Sequence, residues 1–192
     1  GEILVDGHEV KDVTLNSLRE NISYVPQDDF LFSKTVKENI EFHYEHELDD
    51  EMIEKYAKIA GVYDDIIEFK DGFDTILGER GVTLSGGQKQ RVSIARALAK
   101  EKNVLIMDDS LSAVDTQTEE EILKNLNTDE ADVSKIIISH RVSTIKDADE
   151  ILFIEDGAIV ERGTHDELVS LGGRYNKLYE DQLLEQKINR GD

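Results

Sequence analysis

The chain has 192 residues, enough for one sizeable domain or one domain with a smaller appendage. It contains no cysteine, which excludes disulfides and thiolate metal sites and predicts a reducing, cytosolic setting. A formal charge of −21 and an isoelectric point near 4.5 exclude nucleic-acid binding through a generally basic surface, and the longest apolar runs, such as "VLIM" at 104–107, are too short to cross a bilayer.

In chain order, "EILV" at 2–5 and "ISYV" at 22–25 read as strands bounded by the turn signals "DG" and "PQDD". Residues 41–71 are rich in Glu and Asp and carry Met52, Ile53, Tyr56 and Ala60 at helical spacing, which predicts a short helical subdomain interrupting more strand-like sequence. At 84–91, "LSGGQKQR" opens a helix, because Ser85 followed three residues later by Gln88 is a capping box. "NVLIMD" and "SKIIIS" are short, apolar, β-branched runs separated by an amphipathic segment from Thr116 to Leu126. Strand, helix, strand in this pattern predicts a parallel α/β sheet covered on both faces. "EILFIEDGAIVERG" then gives two strand-like runs joined at Asp156-Gly157, a hairpin signal, and helices from about 165 and 174 close the chain.

Two places in this outline carry chemistry. The run "VLIMDDS" drives a buried strand straight into the carboxylates of Asp108 and Asp109, which serves either a solvated turn or a cation site. Ligands bind at the carboxyl ends of open parallel sheets, and Ser139-His140 end the next strand, so two neighbouring strands bring polar side chains to one edge. The second place is the helix start at 85–88. A capping box accounts for Ser85 and Gln88 but not for Gly86 and Gly87, since glycine weakens a helical turn by about 0.5–1 kcal/mol relative to alanine. Missing side chains let an anion approach the unpaired amides at the positive end of the helix dipole, which is a phosphate site.

In order and spacing, "LSGGQKQR", "VLIMDDSLSAVD" and "IIISHR" resemble the nucleotide-binding domain of an ATP-binding cassette (ABC) transporter of exporter type. The resemblance runs from residue 1 to about 182. It implies an α/β P-loop NTPase-like core, placed at 1–35 and 101–192, with a helical subdomain carrying the signature motif at about 36–100. By the same resemblance, Ser85, Gly86, Gly87 and Gln88 form the signature motif, which contacts the γ-phosphate of an ATP held by the opposite subunit of a head-to-tail dimer. Asp108 is the Walker B aspartate that assists Mg²⁺, and Gln27 is the Q-loop glutamine that touches the metal and the attacking water. His140 is the switch histidine, Asp115 is the D-loop aspartate, and "LGERG" at 77–81 is the loop that meets the coupling helices of a transmembrane domain. The implied cofactors are ATP and Mg²⁺, the implied location is the cytoplasmic face of the membrane, and nucleic acid is not an implied partner.

Asp109 stands where the family usually has the glutamate that polarises the hydrolytic water. Aspartate is one methylene shorter, roughly 1.5 Å, and a misplacement near 1 Å can cost about 100-fold in rate. The resemblance therefore implies a slow or degenerate site on this Walker B strand beside an intact signature motif, as in one half of a heterodimeric exporter. No G-x-x-x-x-G-K-S/T loop occurs in the 192 residues. The family places it upstream of "GEILVDG", so the chain alone is expected not to hydrolyse ATP, and the strand edges left open by that absent segment are expected to favour self-association. A soluble, non-transport cassette ATPase of regulatory or DNA-repair type is the alternative; the repair type carries a long coiled coil, and no sustained heptad run occurs here.

Overall fold

The computed structural model describes residues 1–42, 48–78, 82–128 and 133–190, and it divides into two compact units, Gly1–Ile138 and Ser139–Asp192. The first opens with a small hairpin, β1 (Leu4–Val5) against β2 (His8–Glu9), shorter than the strand expected over 2–5. Asp6 and Gly7 turn it with φ of 48° and 78°, the left-handed pair that matches strand twist. After α1 (Leu15–Glu20), capped by the Thr14 hydroxyl, come the three strands that organise the unit. β3 (Ile22–Val25), β4 (Val104–Asp108) and β5 (Ser134–Ile138) pair in parallel in the order β3-β4-β5, so the strand bearing the two carboxylates is central. α6 (Thr116–Thr128) makes the crossover from β4 to β5 that parallel pairing requires.

Between β3 and β4 lie only helices and isolated bridges among the described residues: α2 (Val36–Ile40), α3 (Asp50–Ile59), α4 (Tyr63–Ile67), a 3₁₀ turn (Gly72–Asp74) and α5 (Gly86–Ala99). α3 starts on the Asp49 cap with Asp50 and Glu51 in its first turn, where carboxylates favour the helix dipole. It buries Ile53, Tyr56 and Ala57, one stripe at i, i+3, i+4, and packs on α5, whose Val92, Ala95 and Ala99 are buried. Burying a side chain such as Ile53 contributes about 1.5–3 kcal/mol. Gly61, at φ 64°, ends α3: its amide donates to the Lys58 carbonyl at 3.0 Å and that of Val62 to Ala57 at 2.9 Å, a Schellman closure that buries Val62. The helical segment expected over 41–71 is therefore two helices and a turn, and residues 43–47 of it lie outside the described residues.

The sheet departs from expectation in one respect. Val25, Leu105 and Met107 are buried beneath one face, but on the other Tyr24, Ile136 and Ile138 are half exposed. Among the described residues the sheet is thus covered on one face, and β5 pairs with β4 alone. Continuous apolar runs could not reveal this, because they carry no alternation to mark an open face.

The second unit holds α7 (Val142–Ile145), the hairpin β6 (Ile151–Glu155) and β7 (Ala158–Gly163), α8 (His165–Leu171) and α9 (Arg174–Arg190). Asp156 and Gly157, φ 50° and 77°, form the expected hairpin turn. α8 is fixed by a capping box between Thr164 and Glu167 and by Gly172 in the left-handed conformation after its last residue. Val142, Ile151, Leu168 and Tyr175 make this unit's own core.

Candidate functional site: the signature helix and the Walker B edge

The start of α5 is built as the sequence predicts. The Ser85 hydroxyl accepts from the Gln88 amide at 3.2 Å, and the Gln88 side-chain oxygen accepts from the Ser85 amide at 2.9 Å, both halves of the box. Satisfying Gln88 leaves the Gly86 and Gly87 amides as the helix's orphan donors. The helix is long enough, at 14 residues, for its dipole to favour an anion there.

What the sequence did not reveal is how this start is held. Asp65 of α4 accepts from the Gln88 side-chain nitrogen at 2.7 Å through one carboxylate oxygen and from Arg91 at 2.6 Å through the other. Arg91 also donates to the Gly61 and Gly87 carbonyls. One turn on, Gln90 is buried and reaches the loop after β4: it donates to the Ser112 hydroxyl at 3.2 Å and accepts from the Ala113 amide at 2.9 Å. Ser112 in turn donates to the Asp109 carbonyl at 2.9 Å. A side-chain relay therefore runs from α5 to Asp109, the residue after the end of β4.

The two glycines differ. A Cβ on Gly86 would meet the Ala113 Cβ at 3.5 Å, an ordinary contact, whereas one on Gly87 would sit 2.8 Å from the Ala113 carbonyl oxygen. Gly87 is thus required for close approach of the helix to the loop, a packing reason independent of any anion. Together Ser85, Gly86, Gly87, Arg91, Ala113, Val114 and Asp115 line a cavity of about 340 Å³, which joins two of the predicted motifs. Asp115 caps α6: its carboxylate accepts from the Thr118 amide at 3.0 Å, and this bond holds its pKa below the usual carboxylate value.

At the sheet edge, Asp108 closes β4 opposite Ile138, and Asp109 follows at φ 46°, a left-handed conformation that aspartate tolerates better than most residues. Its amide donates to the Ile138 carbonyl at 2.8 Å. Gln27 lies two residues past Val25, the residue paired with Met107, so it extends from the same carboxyl edge. The Tyr24 hydroxyl, absent from the sequence-based expectation, donates to Asp108 at 3.0 Å, and that bond to a carboxylate raises the tyrosine pKa. The segment after Gln27 is tied back to α5 by Arg96, which donates to the Phe30 and Asn39 carbonyls at 2.7 Å each and to the Asn39 side chain at 2.8 Å. Beside it, burial pushes the Asp29 carboxyl up to about 6, against the opposing pull of Ser93 and Arg96; its Oδ1 is buried without a hydrogen-bond partner.

No cluster of three or more His, Cys, Asp or Glu able to hold a metal occurs among the described residues. Asp108 brings a carboxylate and Gln27 an amide oxygen to one sheet edge, the donor types that Mg²⁺ takes when it keeps most of its waters. His140 belongs to the second unit, where Gln182 of α9 grips its segment, donating to the His140 carbonyl at 2.7 Å and accepting from the Val142 amide at 2.9 Å. Of "LGERG", residues 79–81 lie outside the described residues.

Comparisons with known proteins identify the family. The family model described as "ABC transporter" matches residues 1–112. The chain is 48% identical over 184 residues to a putative multidrug export ATP-binding/permease protein of Staphylococcus aureus, covering 96% of this chain and 32% of that protein. It is 46% identical over 183 residues to the ATP-dependent lipid A-core flippase of Salmonella typhimurium, covering 95% and 31%. A solved structure of a bacterial Atm1-family ABC exporter with ATP bound superposes with a TM-score of 0.90 at 40% identity, covering 95% of this chain and 32% of that one. The chain spans about a third of the length of these relatives. A glycine-opened helix capped by Ser85 and Gln88, a strand ending in Asp108 at the centre of a parallel sheet and a family match over more than half of the sequence lead to one conclusion: this chain belongs to the ABC transporter family and has the α/β fold of its ATPase portion.

Proposed function

We propose that the chain is part of the ATP-driven motor of an ABC exporter at the cytoplasmic face of a membrane. The observation that carries this is the cavity in which the orphan amides of Gly86 and Gly87 stand beside Asp115 and Arg91, a setting for the γ-phosphate of a nucleotide brought by a second nucleotide-binding domain in a head-to-tail dimer. Ser85 and Gln88 shape that helix start, and Asp115 borders it. On the chain's own sheet edge, Asp108 and Gln27 would hold Mg²⁺, which neutralises charge on the β- and γ-phosphates when bound. Asp109 would orient the attacking water, and His140 would hydrogen-bond the γ-phosphate. The helices between residues 36 and 100 form the subdomain that carries the signature and meets the transmembrane coupling helices.

Asp109 makes this the slow half of a heterodimer whose partner carries the longer carboxylate. Replacing Asp109 by Glu in the exporter that contains this chain should raise ATP turnover by about 10- to 100-fold, the scale set by a misplacement near 1 Å. Unchanged turnover, with Mg²⁺-ATP still bound, overturns the reading of Asp109 as a shortened base.

A further inference from the structure

α9 delivers one polar side chain to the segment that carries His140. Tyr175, Leu178, Tyr179 and Gln182 are spaced i, i+3, i+4 and i+7 and form one stripe along the helix. The first three pack into this unit's core: Tyr175 is fully buried, its hydroxyl 2.8 Å from the His165 Nδ1, and Leu178 and Tyr179 are partly buried beside it. The start of the helix is pinned by Glu161 of β7, whose carboxylate accepts from the Tyr175 amide at 3.0 Å. α9 is thus a fixed arm, and its stripe ends in an amide where the spacing calls for an apolar residue.

Gln182 uses both of its polar functions on the backbone around His140. Its nitrogen donates to the His140 carbonyl at 2.7 Å and its oxygen accepts from the Val142 amide at 2.9 Å. In the same peptide plane as that carbonyl, the Arg141 amide donates to the Ser139 hydroxyl at 3.0 Å. The plane that follows His140 is therefore held at its carbonyl and at its N–H, which fixes ψ of the histidine. A glutamine amide donates and accepts at once, which a methionine of similar length or an ionised glutamate cannot do. Arg141, at the N-cap of α7, makes no side-chain cap bond, so the acceptor for the Val142 amide comes from α9.

We propose that Gln182 is a positioning residue for His140: by holding the backbone on which the imidazole is mounted, it sets the hydrogen bond to the γ-phosphate at this chain's own nucleotide site. This rests on the role given to His140 above. It also gives α9 a regulatory part, because a partner that draws α9 off the core of its unit releases the segment bearing the histidine. A Gln182 that served folding alone would affect ATP and ADP alike, whereas a positioning one acts through the γ-phosphate.

The test uses the exporter that contains this chain, held on ice, with 8-azido-ATP as a photolabel of this polypeptide and ATP or ADP as competitor. Gln182→Met should weaken competition by ATP about 5-fold or more, the scale of one hydrogen bond, and leave ADP as in the parent. Amide exchange read by mass spectrometry should quicken over residues 140–146 and stay unchanged over the β6–β7 hairpin. Gln182→Glu keeps the acceptor for Val142 and removes only the donor to His140, so it should show the same selective loss, and it carries the test if Gln182→Met loosens the whole unit. In a His140→Ala background, Gln182→Met should weaken ATP no further. Equal weakening of ATP and ADP in both variants, no weakening in either, or a further loss on top of His140→Ala would each overturn the proposal. If His140→Ala itself leaves ATP competition unchanged, the role given to His140 fails and this inference with it. Selective loss in His140→Ala beside full ATP competition in Gln182→Met and Gln182→Glu overturns this inference alone.

Discussion

Gly86 and Gly87 are adjacent, share one helix turn, and should respond to alanine with opposite sign. At Gly87 the new Cβ would lie 2.8 Å from the Ala113 carbonyl oxygen, where ordinary C···O contacts begin near ~3.3 Å. Something must move by about half an ångström. The obstacle is backbone, and it is held: the Ala113 amide is bonded to buried Gln90 at 2.9 Å, the Val114 amide to the Leu111 carbonyl at 3.1 Å, and Val114 is itself buried. Overpacking of this kind costs about 1–3 kcal/mol, against a gain in helix propensity of at most ~1 kcal/mol, so Gly87→Ala should destabilise by about 1–2 kcal/mol. At Gly86 the nearest atom stands at 3.5 Å, the clash is absent, and only the propensity gain remains. For a chain of this size each kcal/mol moves the melting temperature by roughly 2–4 °C, so Gly87→Ala should melt about 2–8 °C lower and Gly86→Ala at or slightly above the parent. Thermal unfolding by circular dichroism reads both. A Gly87→Ala protein as stable as Gly86→Ala would refute the steric argument. The pair also separates packing from ligand binding: Gly86→Ala, with its fold intact, should still weaken ATP-dependent pairing with the second subunit, because a methyl group then stands at the amides.

Three further outcomes follow from the charged groups. Asp29, with its carboxyl pushed up to about 6 from an ordinary 3.8, binds its proton more tightly folded than unfolded, so its contribution to stability falls as pH rises between those values and is level above. Asp29→Asn should therefore gain stability relative to the parent between pH 4 and 6, measured by urea unfolding; parallel pH curves would contradict this. Asp115→Ala should cost about 0.5–2 kcal/mol at neutral pH as a lost helix cap. Since the Asp115 pKa is held low in the folded state, that difference should shrink as the solution is acidified through the carboxylate range, and a difference independent of pH would count against the cap. In Asp108→Asn the Tyr24 phenol should ionise at lower pH than in the parent, read from phenolate absorbance against a Tyr24→Phe blank; an unmoved titration would mean the 3.0 Å hydrogen bond is absent in solution.

The parts legible in the sequence were those with local signals. The capping box at Ser85 and Gln88, the hairpin turn at Asp156 and Gly157 and the three strands each declare themselves within a few residues, through spacing or turn chemistry. What stayed hidden depends on partners distant in sequence. The Tyr24 to Asp108 bond spans 84 positions, Asp65 reaches Gln88 across 23, and Gln90 reaches Ala113 across 23, none of which leaves a period or a motif. The left-handed backbone at Asp109 was hidden for a related reason, since aspartate accepts that conformation without requiring it. The reason for Gly87 was likewise invisible: a missing side chain looks the same whether it makes room for a phosphate or for a neighbouring carbonyl.

The buried amide of Gln90 is a mechanical tie. By donating to Ser112 and accepting from Ala113, it fastens the inner turn of α5 to the chain immediately downstream of the acidic pair, and Ser112 passes the connection to Asp109. Rotation of the helix would stretch these two bonds together with those from Gln88 and Arg91 to Asp65. The glycine start of α5 and the segment after the two carboxylates are thus joined as one mechanical piece, by side-chain hydrogen bonds as well as by packing.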